Sequence, residues 1–131
     1  MDIRRILKTS KVIAVLGAST DELAISNDIT KYLICRGYSV YPVNPKHKGK
    51  FIGDCKVLSC LDDVPEPIDI INVFRRSEFI PDHVEEIIAS KPRTVWFQMG
   101  ISCPESFDKL ENAGIEVVKE SCIYQALLGE S

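Results

Sequence analysis

Residues 12–16 read Val-Ile-Ala-Val-Leu, an apolar run with no polar alternation, and residues 69–74 repeat that character at Ile70, Ile71, Val73 and Phe74. A strand written this way is buried on both faces, which calls for a parallel sheet covered by helices on each side. The segments between such runs have helical spacing. Ile29, Leu33 and Ile34 share one face of residues 26–36, which Gly37 ends. Val84, Ile87 and Ile88 do the same over 81–90, as do Phe107 and Leu110 over 104–112, with Gly114 just beyond.

Strands are expected at 12–16, 39–43, 57–58, 69–74, 94–97 and 115–118. A short helical arm at 3–8, a helical turn at 61–64 and a terminal helix at 123–128 complete the elements. The fold that follows is α/β, a doubly wound, mostly parallel Rossmann-like sheet with helices on both faces, three layers deep, in strand order 3-2-1-4-5-6. With 131 residues and neither linker nor internal repeat, the chain reads as one domain, 1–131.

The formal charge of -3 provides no global field to recruit nucleic acid or an anionic membrane, so an anionic ligand must be held locally. The charged N-terminus, Met1-Asp2-Ile3-Arg4-Arg5, lacks the apolar core of a signal peptide or spanning helix. Five cysteines, none in a Cys-x-x-Cys pair, read as reduced thiols, and the expected location is the cytoplasm. No metal site is expected.

In such sheets ligands bind outside the carboxyl ends of the strands. The loops there are 17–20, 42–46, 74–77, 98–102 and 119–122. Gly17 permits a tight turn. Ala18 and Ser19 let a ligand approach the backbone, and the Ser19 and Thr20 hydroxyls can donate to phosphate oxygens. The second strand ends Tyr41-Pro42-Val43-Asn44-Pro45-Lys46, without the carboxylate an NAD site needs for its ribose hydroxyls. Two prolines stiffen a wall suited to adenine, and Lys46 offers a cation to a ribose phosphate. Of Arg75 and Arg76, one is expected to clamp a pyrophosphate while the other caps the following turn or pairs with Glu78 or Asp82.

These residues resemble the CoA-binding domain family, small stand-alone Rossmann-like proteins similar to the CoA-binding part of the succinyl-CoA synthetase alpha subunit. The carriers are Ile13 to Ser19, Gly37 to Pro45, Ile68 to Ser77, Val95 to Gly100 and a cysteine at Cys122. The resemblance implies coenzyme A or an acyl-CoA at the strand ends. Adenine and ribose phosphate would lie near Val43, Asn44 and Lys46, the pyrophosphate over Gly17 to Thr20, and Phe74 and Arg75 would line the channel. Ser26 stands at the family's matching serine position, although Asp21-Glu22-Leu23-Ala24-Ile25 replaces its usual proline- and arginine-containing stretch. The cofactor-binding residues expected are thus Gly17, Ala18, Ser19, Thr20, Ser26, Val43, Asn44, Pro45, Lys46, Phe74, Arg75, Gln98 and Gly100.

No catalytic residue is expected. His47 and His83 read as solvated or structural, and Cys122 as buried, with a mixed disulfide to a thiol cofactor as its sharper reading. The leading expectation is a non-catalytic CoA-binding or regulatory module with a small-molecule nucleotide ligand; a homodimer or an unknown protein partner is left open. Two rivals stand beside it: an NADP-dependent oxidoreductase holding the 2′-phosphate with Lys46 and an arginine, and a scaffold with a degenerate nucleotide pocket.

Overall fold

The computed structural model describes residues 2–129. Asp2 caps the first helix, α1 (Ile3–Thr9), its carboxylate accepting from the Arg5 N–H at 3.1 Å. Strand β1 (Val12–Leu16) follows, then α2 (Ile25–Cys35) and β2 (Ser39–Val43). A hairpin of β3 (Phe51–Ile52) and β4 (Cys55–Lys56) precedes β5 (Ile70–Val73), α3 (Val84–Ser90), β6 (Thr94–Phe97), α4 (Pro104–Asn112), β7 (Glu116–Val118) and α5 (Ile123–Gly129).

The main sheet is five-stranded, entirely parallel and ordered β2-β1-β5-β6-β7. Successive side chains point to opposite faces, and both faces are apolar. Ile13, Val15, Ile70, Trp96 and Val118 meet Ile6 of α1, Leu33 of α2 and Ile123 of α5. Ala14, Leu16, Ile71, Val73, Val95, Phe97 and Val117 meet Ile87 of α3 and Phe107 and Leu110 of α4. This is the three-layer α/β architecture expected from unalternated strands. Asp69 stitches the lower edge, its Oδ2 accepting from the Lys11 and Val12 N–H groups at 2.8 and 3.0 Å.

The expected third strand at 57–58 shrinks to one parallel bridge, Val43 to Leu58, although it does lie beside the second strand as the order 3-2-1-4-5-6 required. Residues 51–56 instead form the antiparallel hairpin, a feature the reading of the sequence did not include. The helix expected over 81–90 is also shorter. Pro81 lacks an N–H and its ring crowds the preceding turn, so Ser77–His83 winds as 3₁₀ turns and α-helical geometry begins at Val84. No helix among the described residues is long and apolar enough to cross a membrane.

Candidate functional site

At the carboxyl edge of β1 the chain turns at Gly17, with φ +89°, and runs through a loop before α2 begins at Ile25. A Cβ at Gly17 would lie 2.3 Å from the Phe74 carbonyl oxygen and 3.0 Å from Arg75 Cδ, so glycine lets the first and third expected loops touch. The Gly17 and Ala18 N–H groups both donate to the Val43 carbonyl, at 2.9 and 3.3 Å. Ser19 Oγ accepts from the Asp21 N–H at 3.1 Å, and Thr20 Oγ1 bonds His47 Nδ1 at 3.0 Å. These bonds shape the loop: the Gly17 and Ala18 N–H groups point to Val43, Thr20 is tied to His47, and the Ser19 hydroxyl, which accepts here, keeps its own proton to donate.

Further donors lie at the start of α2. The N-cap of α2 is Ala24, which has no side-chain acceptor, so the chain supplies no side-chain cap to the helix start. Ala24, Ile25 and Ser26 line a cavity of about 550 Å³ whose other walls are Gly17, Phe74, Arg75, Arg76 and Ser77 on one side and Gln98, Met99 and Gly100 on another. An anion here would meet the positive end of the α2 dipole and two guanidinium groups. Asp21 and Glu22 do not line this cavity: Asp21 Oδ1 accepts from the Leu23 N–H at 2.9 Å and Glu22 pairs with Lys31 at 3.9 Å.

Arg75 also borders a smaller, more apolar cavity of about 100 Å³ formed by Leu16, Gly17, Val43, Asn44, Pro45, Lys46 and His83. Its Nε donates to His83 Nε2 at 3.2 Å, and its guanidinium lies 4.7 Å from the centre of the Phe79 ring. Because arginine only donates, His83 Nε2 accepts, and the ring proton on Nδ1 is directed to Glu86 Oε1 at 2.7 Å. Phe79, His83 and Glu86 are thus the support behind Arg75, and no motif in the sequence marks them. Arg76 is the more exposed arginine and pairs with Glu78 at 3.7 Å.

Asn44 joins two loops. Its Nδ2 donates to the Ala18 carbonyl at 2.8 Å and its Oδ1 accepts from the Lys46 N–H at 3.0 Å. Its amide thus ties the end of β2 to the first loop and to the backbone of Lys46. Asn44→Ala is expected to lower stability by about 1–2 kcal/mol, from two lost hydrogen bonds, and to weaken ligand binding only by loosening Lys46. Urea denaturation measures the first effect and titration the second.

Gln98 is held from below, Nε2 donating to Oδ1 of the fully buried Asn72. Asn72 Nδ2 and the buried Asn27 Oδ1 have no hydrogen-bond partner, and each belongs to a residue bonded to this edge, Asn27 through the Ser19 carbonyl. Buried polar atoms without partners are rare, and they collect where a ligand or ordered water completes a site. Cys122 does not line either cavity. It packs half-buried against the core on the α1, α2 and α5 side.

The titrating groups that depart from their usual range lie elsewhere. The Tyr41 phenol is raised by its hydrogen bond to Glu66, then by burial, and the Cys55 thiol is raised by burial and by Asp54. Both line a cavity beside the hairpin rather than this edge. A raised thiol is the opposite of what a nucleophile needs. A further cavity of about 370 Å³ near α3 is lined by Asp62, Glu66 and Glu86, carboxylates that repel an anion.

Residues 11–127 match the family model described as CoA binding domain. The chain is 37% identical over 122 residues to the Bacillus subtilis (strain 168) protein YneT, covering 93% of this chain and 89% of that one. It is 37% identical over 76 residues to ADP-forming acetate–CoA ligase I of Archaeoglobus fulgidus, covering 58% of this chain and 11% of the ligase. Among solved structures, that of cell-free ID.343 from Thermus thermophilus superposes with a TM-score of 0.95 at 37% identity over 98% of both chains.

Proposed function

The chain belongs to the CoA binding domain family, and on that premise we propose that it binds coenzyme A or an acyl-CoA at the carboxyl edge of its sheet, as a binding or regulatory module. The observation that carries this reading is Arg75, which borders both cavities and faces the start of α2, where no side chain caps the helix. A ligand with an anionic middle and two unlike arms fits such an arrangement. In this reading the pyrophosphate lies between Arg75 and the first turn of α2, beside Ser26. The adenosine lies against Val43, Asn44 and Pro45, with Lys46 at its ribose phosphate. The pantetheine runs past Phe74 toward Gln98 and Gly100. Gly17 supplies the close approach, while Ala18 and Thr20 hold the loop and the Ser19 hydroxyl can still donate to a phosphate oxygen.

Calorimetric titration with coenzyme A, acetyl-CoA, NADP and NAD in parallel tests the reading. Coenzyme A is expected to bind with a dissociation constant on the order of micromolar, with NADP at least about tenfold weaker and NAD weaker still. Tight NADP binding without coenzyme A binding would favour the oxidoreductase, and no binding of any of the four would leave a scaffold with a degenerate pocket.

A further inference from the structure

We infer that the mouth of the larger cavity is an acyl-chain site, so that the preferred ligand is a thioester carrying a short or medium aliphatic chain rather than the free thiol. This rests on the coenzyme A reading and deepens it. Met99 is 66% exposed and Ile25 71%, and both line the cavity. Leu23, two residues before Ile25 in the loop that leads into α2, is 92% exposed. One exposed apolar side chain needs no explanation, whereas two that line one cavity from different segments of the chain, with a third close by in sequence, mark apolar surface awaiting cover.

The direction of the ligand follows from charge and size. With the anionic middle at Arg75, the nucleoside arm goes to the side that holds Lys46, where the space is about 100 Å³. The longer, flexible arm has the space of about 550 Å³ on the other side. Gln98 has its Nε2 engaged by Asn72, which leaves Oε1 for an amide N–H on that arm. Beyond Gln98 stands Met99, so whatever is attached to the sulfur emerges against Met99 and Ile25. An unbranched, adaptable methionine suits a chain of variable length.

The occupant is a chain rather than a protein partner because the apolar surface continues from the cavity wall and is small. Three side chains fall well short of the roughly 800 Å² per partner that a stable protein interface covers. Phe51 on β3 and Leu128 on α5, also exposed, do not line this cavity.

The test is a titration series of coenzyme A and its acetyl, butyryl, hexanoyl and octanoyl thioesters, each below its micelle concentration, against the wild-type chain and the double variant Ile25→Ser, Met99→Ser. A half-covered methylene is expected to raise affinity about twofold, so hexanoyl-CoA should bind about tenfold or more tightly than acetyl-CoA. The double variant should flatten that slope without lowering the thermal midpoint, since both side chains are exposed. A flat wild-type series with coenzyme A still bound overturns the acyl site alone. A slope that survives in the double variant overturns it too, because the chain then binds elsewhere. Failure of every compound, coenzyme A included, overturns the coenzyme reading on which it rests.

Discussion

Gly17→Ala is expected to destabilise the protein by about 2–4 kcal/mol and to abolish coenzyme A binding. Two independent costs add at this position. An L-residue held at φ +89° is strained by about 1–2 kcal/mol. The new methyl group would also stand 2.3 Å from the Phe74 carbonyl oxygen, well inside contact distance. Phe74 cannot easily retreat, since its N–H donates to the Leu16 carbonyl at 2.8 Å at the end of the β1–β5 ladder. Any relief must therefore part the two strands whose loops form the site, and Arg75, with Cδ 3.0 Å from the same methyl, moves with them. Gly37→Ala is the control: φ there is +94°, but no atom lies within 4 Å of the added carbon, so only the backbone cost of about 1 kcal/mol is expected. Urea denaturation and thermal melts of the pair separate the terms, with a difference in midpoint of about 5–10 °C. Equal losses in the two variants would show that close packing at Gly17 plays no part.

The sheet was legible because its signal is redundant. The central strands β1, β5 and β6 are buried along their whole length, and the helices between strands repeat at i, i+3 and i+4, so parallel order and three layers follow from few assumptions. What the sequence hid is short and local. The β3–β4 hairpin turns on Gly53-Asp54, with Gly53 at φ +59°, a recognisable two-residue turn signal. Its strands of two residues each are too brief to show alternation. Pro81 was a visible breaker, yet the periodicity of 84–88 drew the helix back through it.

The candidate site was legible as a set of loops and less so as a set of roles. Sequence position brought Gly17, Ser26, Phe74, Arg75, Gln98 and Gly100 to one cavity and Val43, Asn44, Pro45 and Lys46 to the next. Which donors are free was not readable, because it depends on hydrogen bonds across loops. The Val43 carbonyl takes the Gly17 and Ala18 N–H groups, a pairing between residues far apart in the chain. The same holds for the apolar mouth: Leu23 and Ile25 read as helix approach, and only their exposure distinguishes them from core.

Arg75→Ala is expected to weaken coenzyme A binding about 30- to 100-fold, the worth of a charge-assisted pair of hydrogen bonds to a pyrophosphate, while changing stability by less than about 1 kcal/mol. The asymmetry arises because Arg75 is half-buried and its protein partners are aromatic and imidazole groups that tolerate its loss. Arg76→Ala should cost only a few-fold, since that side chain is exposed and already paired with Glu78. Arg75→Lys tests geometry apart from charge. An ammonium retains attraction to phosphate but has neither the planar fork nor an Nε–H to reach His83, so no more than part of the affinity should return. His83→Leu removes the acceptor that fixes the guanidinium without touching its charge, and is expected to lower affinity several-fold, with much of the loss in faster dissociation. Glu86→Gln retains an oxygen that can accept from Nδ1 and should be mild. If Arg75→Ala bound coenzyme A as tightly as the wild type, the anion would have to sit away from the start of α2, and the arrangement of both arms derived from Arg75 would fall with it.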